Sequence, residues 1–248
     1  MSGIKKLAAI YNVWDGVELL KYSINSIKKD VDLFIIVYQD TSNFGEVFSP
    51  LHEIQKVTDG LNCILYKYNP TIGNGFVNES AKRIIGISIA QENDCSHFLH
   101  LDCDEVYEDF ASAKQLYVDS NYEGSVCKIF TYFKDPTLRF ETEDGYYVPF
   151  IHRLYENTTS GCSGYPFYTD PTRTINTQNV TLLPVYMHHF SWVRKDIERK
   201  CRNSSAKANL ERGTMLNSYY DACCGHGFYV KDYEKKLIEV PNQFYIEL

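Results

Sequence analysis

The sharpest chemical feature of this chain is the run Asp102-Cys103-Asp104-Glu105. Two carboxylates at i and i+2 can face one cleft where the chain turns. Crowding two anions into a partly dry site costs free energy unless a cation compensates them. A hard divalent ion does so, and Mg²⁺ or Mn²⁺ would keep coordination positions open for substrate phosphates. Asp102 and Asp104 are therefore the first candidate metal ligands. Such a triplet alone is weak, because acidic loops produce it by chance. It gains weight from the run that leads into it, His97-Phe98-Leu99-His100-Leu101.

A second group lies in His188-His189-Phe190-Ser191-Trp192-Val193-Arg194-Lys195-Asp196. An imidazole suits Mn²⁺. Arg194 or Lys195 at a helix start can pair with phosphate. Strand alternation lets only one of the two histidines face a cleft; His189 is preferred and His188 is the alternative. Trp192 is read as a substrate contact. His152-Arg153 falls in a strand candidate and is read as acceptor-facing. Cys223-Cys224-Gly225-His226 reads as a turn with small buried thiols.

The elements that must position these groups follow from periodicity. Lys6 to Val13 reads as a strand, and Gly16 to Lys29 carries apolar residues at helical spacing. Val31 to Tyr38 is a continuous apolar run that suits a strand covered on both faces. Leu61 to Tyr68 gives a third strand, Asn78 to Gln91 a second helix, and Ser96 to Leu101 a fourth strand. This alternation predicts right-handed crossovers and a mostly parallel sheet flanked by helices, with ligands beyond the carboxyl ends of the strands. Ser125 to Phe133, Tyr146 to Tyr155 and Val185 to Ser191 read as further strands. Residues 156–184 read as loops, and a basic helix is expected from about Val193 to Leu210.

Length and charge narrow the function. The 248 residues fit one domain, with residues 1–110 and 111–248 as its two functional halves. Net charge is −7, yet residues 194–212 hold seven Lys/Arg against three acids, or +4, leaving −11 for the rest. A local basic segment in an acidic chain suits a small anion such as a diphosphate better than a polyanion. The eight cysteines show no paired CxxC spacing, so the expectation is free thiols in a reducing cytoplasm. No run reaches the ~18 apolar residues of a membrane span.

The order of these motifs resembles the nucleotide-sugar-binding half of the glycosyltransferase A (GT-A) fold, with glycosyltransferase family 2 the nearest pattern. The likeness covers about 40% of the chain. It rests on Tyr11-Asn12, on Ile35 to Ser42 with Asp40, and on Gly73-Asn74-Gly75. Lys82-Arg83, Gly86-Ile87-Ser88-Ile89-Ala90 and the acidic triplet complete it. The resemblance implies a divalent-metal-dependent transfer of a sugar from a nucleoside-diphosphate-sugar to a hydroxyl acceptor. It implies that Tyr11 and Asn12 contact the donor, that Asp40 binds base or ribose, and that Lys82 or Arg83 reaches the donor. Asp102 would approach ribose or metal, and Asp104 would be the main metal ligand. A late histidine completes the metal sphere in many such enzymes. Inverting members use a carboxylate base, for which Glu143, Asp144 and Asp170 are candidates and Asp144 is preferred. Net acidity favours a glycan or other hydroxyl acceptor over a modified DNA base. The rival readings are a nucleotidyltransferase and a non-catalytic nucleotide-sugar-binding subunit.

Overall fold

The computed structural model describes residues 3–204, 228–230 and 233–248. Four strands, β1 (Leu7–Val13), β2 (Leu33–Tyr38), β3 (Cys63–Lys67) and β4 (His97–Asp102), lie side by side in the order β4-β1-β2-β3. Every pair among them is parallel. Helices α1 (Val17–Ile27), α2 (Leu51–Thr58) and α3 (Gly75–Glu92) make the crossovers. The protein is thus of the mixed α/β class, with a mostly parallel central sheet flanked by helices.

Period-two alternation divides the core. Leu7, Ala9, Tyr11 and Val13 of β1 join Phe34, Ile36, Leu99 and Leu101 in a cluster with the buried face of α1. Ala8 and Ile10 join Leu33, Ile35, Val37 and Phe98 in a second cluster with Ile87 and Ala90 of α3. Both faces are buried, as continuous apolar strands require. The polar residues that end the strands inherit these faces. Asn12, Gln39 and Asp102 follow Ile10, Val37 and His100 by two positions, so all three project toward α3.

Beyond β4 the chain makes β5 (Glu105–Tyr107), α4 (Phe110–Ser120), β6 (Gly124–Phe133), β7 (Leu138–Phe140), β8 (Val148–Arg153) and the long β9 (Val180–Trp192). β8 runs antiparallel to both β4 and β6, and β9 lies between β5 and β6. α5 (Ile197–Asn203) follows, then β10 (Phe228–Val230), β11 (Tyr233–Lys235) and β12 (Leu237–Glu239). β10 and β11 pair with each other, and the other ten strands form one sheet that runs through both halves of the chain.

Two helices have no counterpart among the sequence expectations. α2 buries only Ile54 and Thr58, too few positions to show a periodic face. α4 buries Phe110, Ala113 and Tyr117, and begins where the Asp109 side chain accepts the Ser112 N–H. The segment expected to be loops holds one 3-10 turn, Pro171–Arg173, capped by Asp170, and its last five residues, 180–184, already belong to β9, which pairs there with β6. The basic helix starts at Ile197 rather than Val193, because Asp196 caps it. Its expected far end lies outside the described residues, as does the Cys223-Cys224-Gly225-His226 cluster. Among the described residues no helix is long and apolar enough to cross a membrane.

α3 lies so close to β1 that a Cβ on Gly86 would meet Ile10 Cγ2 at 2.2 Å. Gly86→Ala should therefore destabilise the protein by about 1–3 kcal/mol through overpacking. A thermal unfolding curve checks this, and an unchanged midpoint would contradict so close a contact.

Candidate functional site

The carboxyl ends of β1 and β4, the N-terminal half of α3 and the far end of β9 enclose a cleft of about 730 Å³. Its floor is charged and buried. Asp104, Glu105, Lys82, Arg83 and Arg173 are each at most 3% exposed, where ions persist only when paired.

Asp102 receives two arginines. Arg83 Nη2 donates to Oδ1 at 3.2 Å and Arg173 Nη2 to Oδ2 at 2.5 Å. Arg173 also forks onto both oxygens of Glu105, at 2.6 and 2.9 Å. Burial opposes the Asp102 charge, but Arg173 and Arg83 outweigh it and hold its carboxyl below the usual range. Burial wins at Glu105, whose pKa is raised despite Arg173, with the neighbouring Asp102 charge adding to the rise. Arg173 comes from the 3-10 turn, across the cleft from the strand it neutralises.

Asp104 is compensated separately. Its Oδ2 accepts from Arg194 and lies 3.7 Å from His189 Nε2. Burial again opposes ionisation, and Arg194 with His189 overcomes it, so the carboxyl is held well below its ordinary value. Asp104 in turn raises the His189 pKa against the effect of burial. Arg194 reaches Asp104 across Gly16, the residue that caps α1 with φ +74°. A Cβ there would fall 1.4 Å from Arg194 Nη1, so glycine is required both for the backbone and for the guanidinium.

At the α3 side, Glu79 Oε1 accepts from Lys82 Nζ at 3.0 Å and Asn43 Nδ2 at 2.9 Å. Its Oε2 accepts from Asn12 Nδ2 at 3.0 Å. Burial opposes this charge too, yet Lys82 and Arg83 keep the Glu79 pKa lowered. Across the cleft stand Thr131, Asp144, Tyr146, Tyr168, Trp192 and Phe140. The Thr131 hydroxyl donates to Asp144 Oδ2 at 2.7 Å.

Several buried polar atoms of the lining have no partner in the protein. They are Asn12 Oδ1, Trp14 Nε1, Asp15 Oδ2, Gln39 Oε1, Arg83 Nη1 and Arg194 Nη1. A buried polar atom left unpaired costs about 1–3 kcal/mol. Their convergence on one cleft marks where a polar, partly anionic ligand would be held.

The donor set at the triplet divides between two roles. Both Asp102 oxygens accept guanidinium N–H groups, so this residue is counter-charge to Arg83 and Arg173. Asp104 Oδ2 likewise accepts from Arg194, but it also faces an imidazole, that of His189. Two donors each roughly 2.1 Å from one ion lie no further than roughly 4.2 Å apart, which their 3.7 Å separation satisfies. Among the described residues no cluster of three His, Cys, Asp or Glu side chains could hold a metal. A fit therefore requires substrate oxygens and water to complete the sphere, a habit of Mg²⁺ and Mn²⁺.

Of the residues singled out in the sequence, the cleft brings together Asn12, Lys82, Arg83, Asp102, Asp104, Asp144, His189, Trp192 and Arg194. Others stand elsewhere. Tyr11 has the opposite parity to Asn12 and is fully buried in the core, its hydroxyl 2.9 Å from Ser23 Oγ. Asp40 lies outside the lining, paired with Lys67 Nζ at 2.6 Å and receiving the Ser49 hydroxyl; Gln39 and Asn43 line the cleft there instead. His188 points to the back of β9, where Nδ1 meets Tyr132 Oη at 3.0 Å and burial lowers its pKa to about 4. His152 and Arg153 pair with Phe98 and His97, at the start of β4 and opposite the end that carries Asp102. There His152 Nε2 meets Tyr165 Oη at 2.7 Å. Lys195 is outside the lining; its backbone N–H donates to Glu18, and Lys200 lines the cleft in its place. Glu143 is turned to Lys128 and Tyr186, while Asp170 lines the cleft between Arg83 and Arg173. No motif pointed to Arg173, Glu79, Gln39 or Asn43.

No family model matches the sequence, and no curated protein matches it. Solved structures with a similar chain course include S. aureus TarS 1-349, at 12% identity over 92% of this chain and 75% of that one, TM-score 0.45. The same protein in complex with UDP matches at 13% identity over 89% and 72%, TM-score 0.40. A 4-diphosphocytidyl-2C-methyl-D-erythritol synthase matches at 15% identity over 60% and 74%, TM-score 0.38. Likenesses this loose carry no chemistry from those proteins to this chain.

Removing Arg173 would strand the buried Glu105 carboxylate and take from Asp102 one of its two arginines. Arg173→Met should cost about 3–5 kcal/mol at pH 7.5. Burial already raises the Glu105 pKa, and loss of the guanidinium raises it further above its unfolded value, so protonation favours the folded state and the deficit should shrink as pH falls toward 5. Denaturant titrations at the two pH values check the size and the sign. Arg153→Ala, at the far edge of β4, should leave nucleotide affinity unchanged in a calorimetric titration.

Proposed function

We propose that this protein transfers a glycosyl group from a nucleoside-diphosphate-sugar to a hydroxyl acceptor, with help from Mn²⁺ or Mg²⁺. The observation that carries the reading is the set of unpartnered atoms on residues that line the cleft. The Asn12 and Gln39 oxygens, at the ends of β1 and β2, and one guanidinium nitrogen each of Arg83 and Arg194, held by Asp102 and Asp104 at the end of β4, have no partner in the protein. Acceptors on one side suit a base, and cationic donors on the other suit a diphosphate. The aromatic wall of Tyr146, Tyr168 and Trp192 beyond it suits sugar rings. The volume is within the range of small-molecule sites.

In this mechanism Arg83 and Arg194 donate hydrogen bonds to the diphosphate, fixed in place by Asp102 and Asp104. Their charges are preorganised, so they stabilise the leaving group as its negative charge develops. Asp104 and His189 would hold the divalent cation, which supplies further neutralisation of the diphosphate. Asp144, oriented by the Thr131 hydroxyl, takes the proton of the acceptor hydroxyl as the new glycosidic bond forms. A glycan fits the aromatic wall, and the net charge of −7 disfavours a nucleic-acid acceptor.

A nucleoside diphosphate panel in a thermal shift assay, with and without Mn²⁺, tests this reading. A metal-dependent stabilisation by at least one nucleotide is expected. Asp104→Asn and His189→Ala should each lower donor turnover at least about 100-fold, the scale of a lost electrostatic group, while remaining folded. Full turnover in both variants with added chelator would remove the cation from the mechanism. An absence of any nucleotide-induced shift would overturn the nucleotide-sugar reading itself.

A further inference from the structure

The carboxamides at the base end of the cleft are not free to turn. Glu79 is held ionised by Lys82 and Arg83, and an ionised carboxylate only accepts hydrogen bonds. Asn12 and Asn43 must therefore both present nitrogen to it, as they do at 3.0 and 2.9 Å. With its nitrogen spent on Glu79, Asn43 offers Oδ1, which accepts from Gln39 Nε2 at 3.3 Å. Gln39 is left with its oxygen. One half-buried charge thus sets the polarity of three amides in series.

The outcome is two acceptors without partners, Asn12 Oδ1 and Gln39 Oε1, on residues 7% and 1% exposed. Both belong to the cleft lining. Asn12 lies on β1 and Gln39 directly follows the neighbouring parallel β2; Asn12 pairs with Val37, and the Gln39 N–H still donates to the Val13 carbonyl at 3.1 Å, so the strand parity carries Gln39 to the same α3 face. The unpartnered donor Trp14 Nε1 belongs to an indole packed edge-on against Phe48 and is no part of the carboxamide chain.

Resting on the nucleotide-sugar reading above, we propose that this end of the cleft selects guanine, so that the donor is a guanosine-diphosphate-sugar. Two neighbouring acceptors call for two neighbouring donors. Guanine presents N1–H and its 2-amino group side by side. Uracil presents a single N–H between two carbonyl oxygens, which would face Asn12 and Gln39 acceptor to acceptor. Adenine and cytosine each present one amino group beside an acceptor nitrogen. Guanine alone of the four offers the two oxygens donors on two adjacent atoms; uracil leaves one acceptor unpaired, and adenine and cytosine must serve both from the diverging hydrogens of a single amino nitrogen. Glu79 touches no part of the base; it is a positioning residue, acting through the amides it orients.

Titration calorimetry on the full chain with Mn²⁺ tests this, using GDP, IDP, ADP, CDP and UDP. IDP differs from GDP only in lacking the 2-amino group. GDP should bind at least about tenfold tighter than IDP, the effect of one buried acceptor left unpaired, and tighter than the other three. Glu79→Gln releases the amides to turn, and should shrink the GDP-to-UDP ratio toward one while the thermal unfolding midpoint reports that the chain still folds. Equal affinity for GDP and IDP, or tighter binding of UDP or ADP, would overturn the guanine assignment and leave the nucleotide-sugar reading standing. Should Glu79→Gln fail to fold, the GDP-to-IDP comparison on the unaltered protein decides by itself. Binding of none of the five would overturn both.

Discussion

Asp102, Asp104 and Glu105 fall within four residues at the end of a strand whose other positions are packed in the core. Each negative charge there must be answered by a positive one that comes from elsewhere in the chain. Arg83 comes from α3, Arg173 from the 3-10 turn and Arg194 from the chain beyond β9. These pairings tie the second half of the sequence to the first. Paired ions in a dry site are a weak source of net stability, because desolvation offsets most of the attraction. Their effect is on geometry: Arg83 and Arg194, both in the cleft lining, are each held by a carboxylate at one nitrogen while another nitrogen has no partner in the protein.

The same economy recurs at Glu79, where a single half-buried carboxylate and Lys82 organise Asn12, Asn43 and Gln39. Acids in this cleft are thus mostly fixed points that orient other groups. Asp104 has a second potential use because His189 stands beside it, delivered by the pairing of Glu105 with His189 across β5 and β9. The Phe190 N–H donates to the Asp104 carbonyl at 2.8 Å, which locks the two segments together at the site. A preorganised set of donors of this kind stabilises developing charge without having to reorganise.

The strands and main helices of the first 105 residues were legible because their patterns are local. β2 reads from the run 33–38, α1 from its apolar spacing, and the acidic triplet from its place after β4. Alternation allowed only one of the two histidines to face the cleft, with His189 preferred for its place before Phe190-Ser191-Trp192, and the structure turns His188 to the back of β9. Alternation could equally have separated Asn12 from Tyr11, since adjacent strand residues take opposite faces. The resemblance grouped them as one motif, and Tyr11 lies in the core. Asp40 shows a different difficulty. It follows β2 by two residues, where the chain has left the strand and parity no longer predicts direction. Arg173 was out of reach, because it lies 71 residues from Asp102 in a segment with no periodic pattern. Long-range charge pairing leaves no local trace in a single sequence.

The central claim is that the unpaired Nη1 groups of Arg83 and Arg194 exist to hold a diphosphate. The most direct measurement is a crystal structure of the protein with Mn²⁺ and whichever nucleoside diphosphate binds most tightly. The account predicts phosphate oxygens roughly 3 Å from both guanidinium groups, with the ion's anomalous signal beside Asp104 and His189. A nucleotide bound outside this cleft, with both arginines still unpaired toward it, would contradict the account.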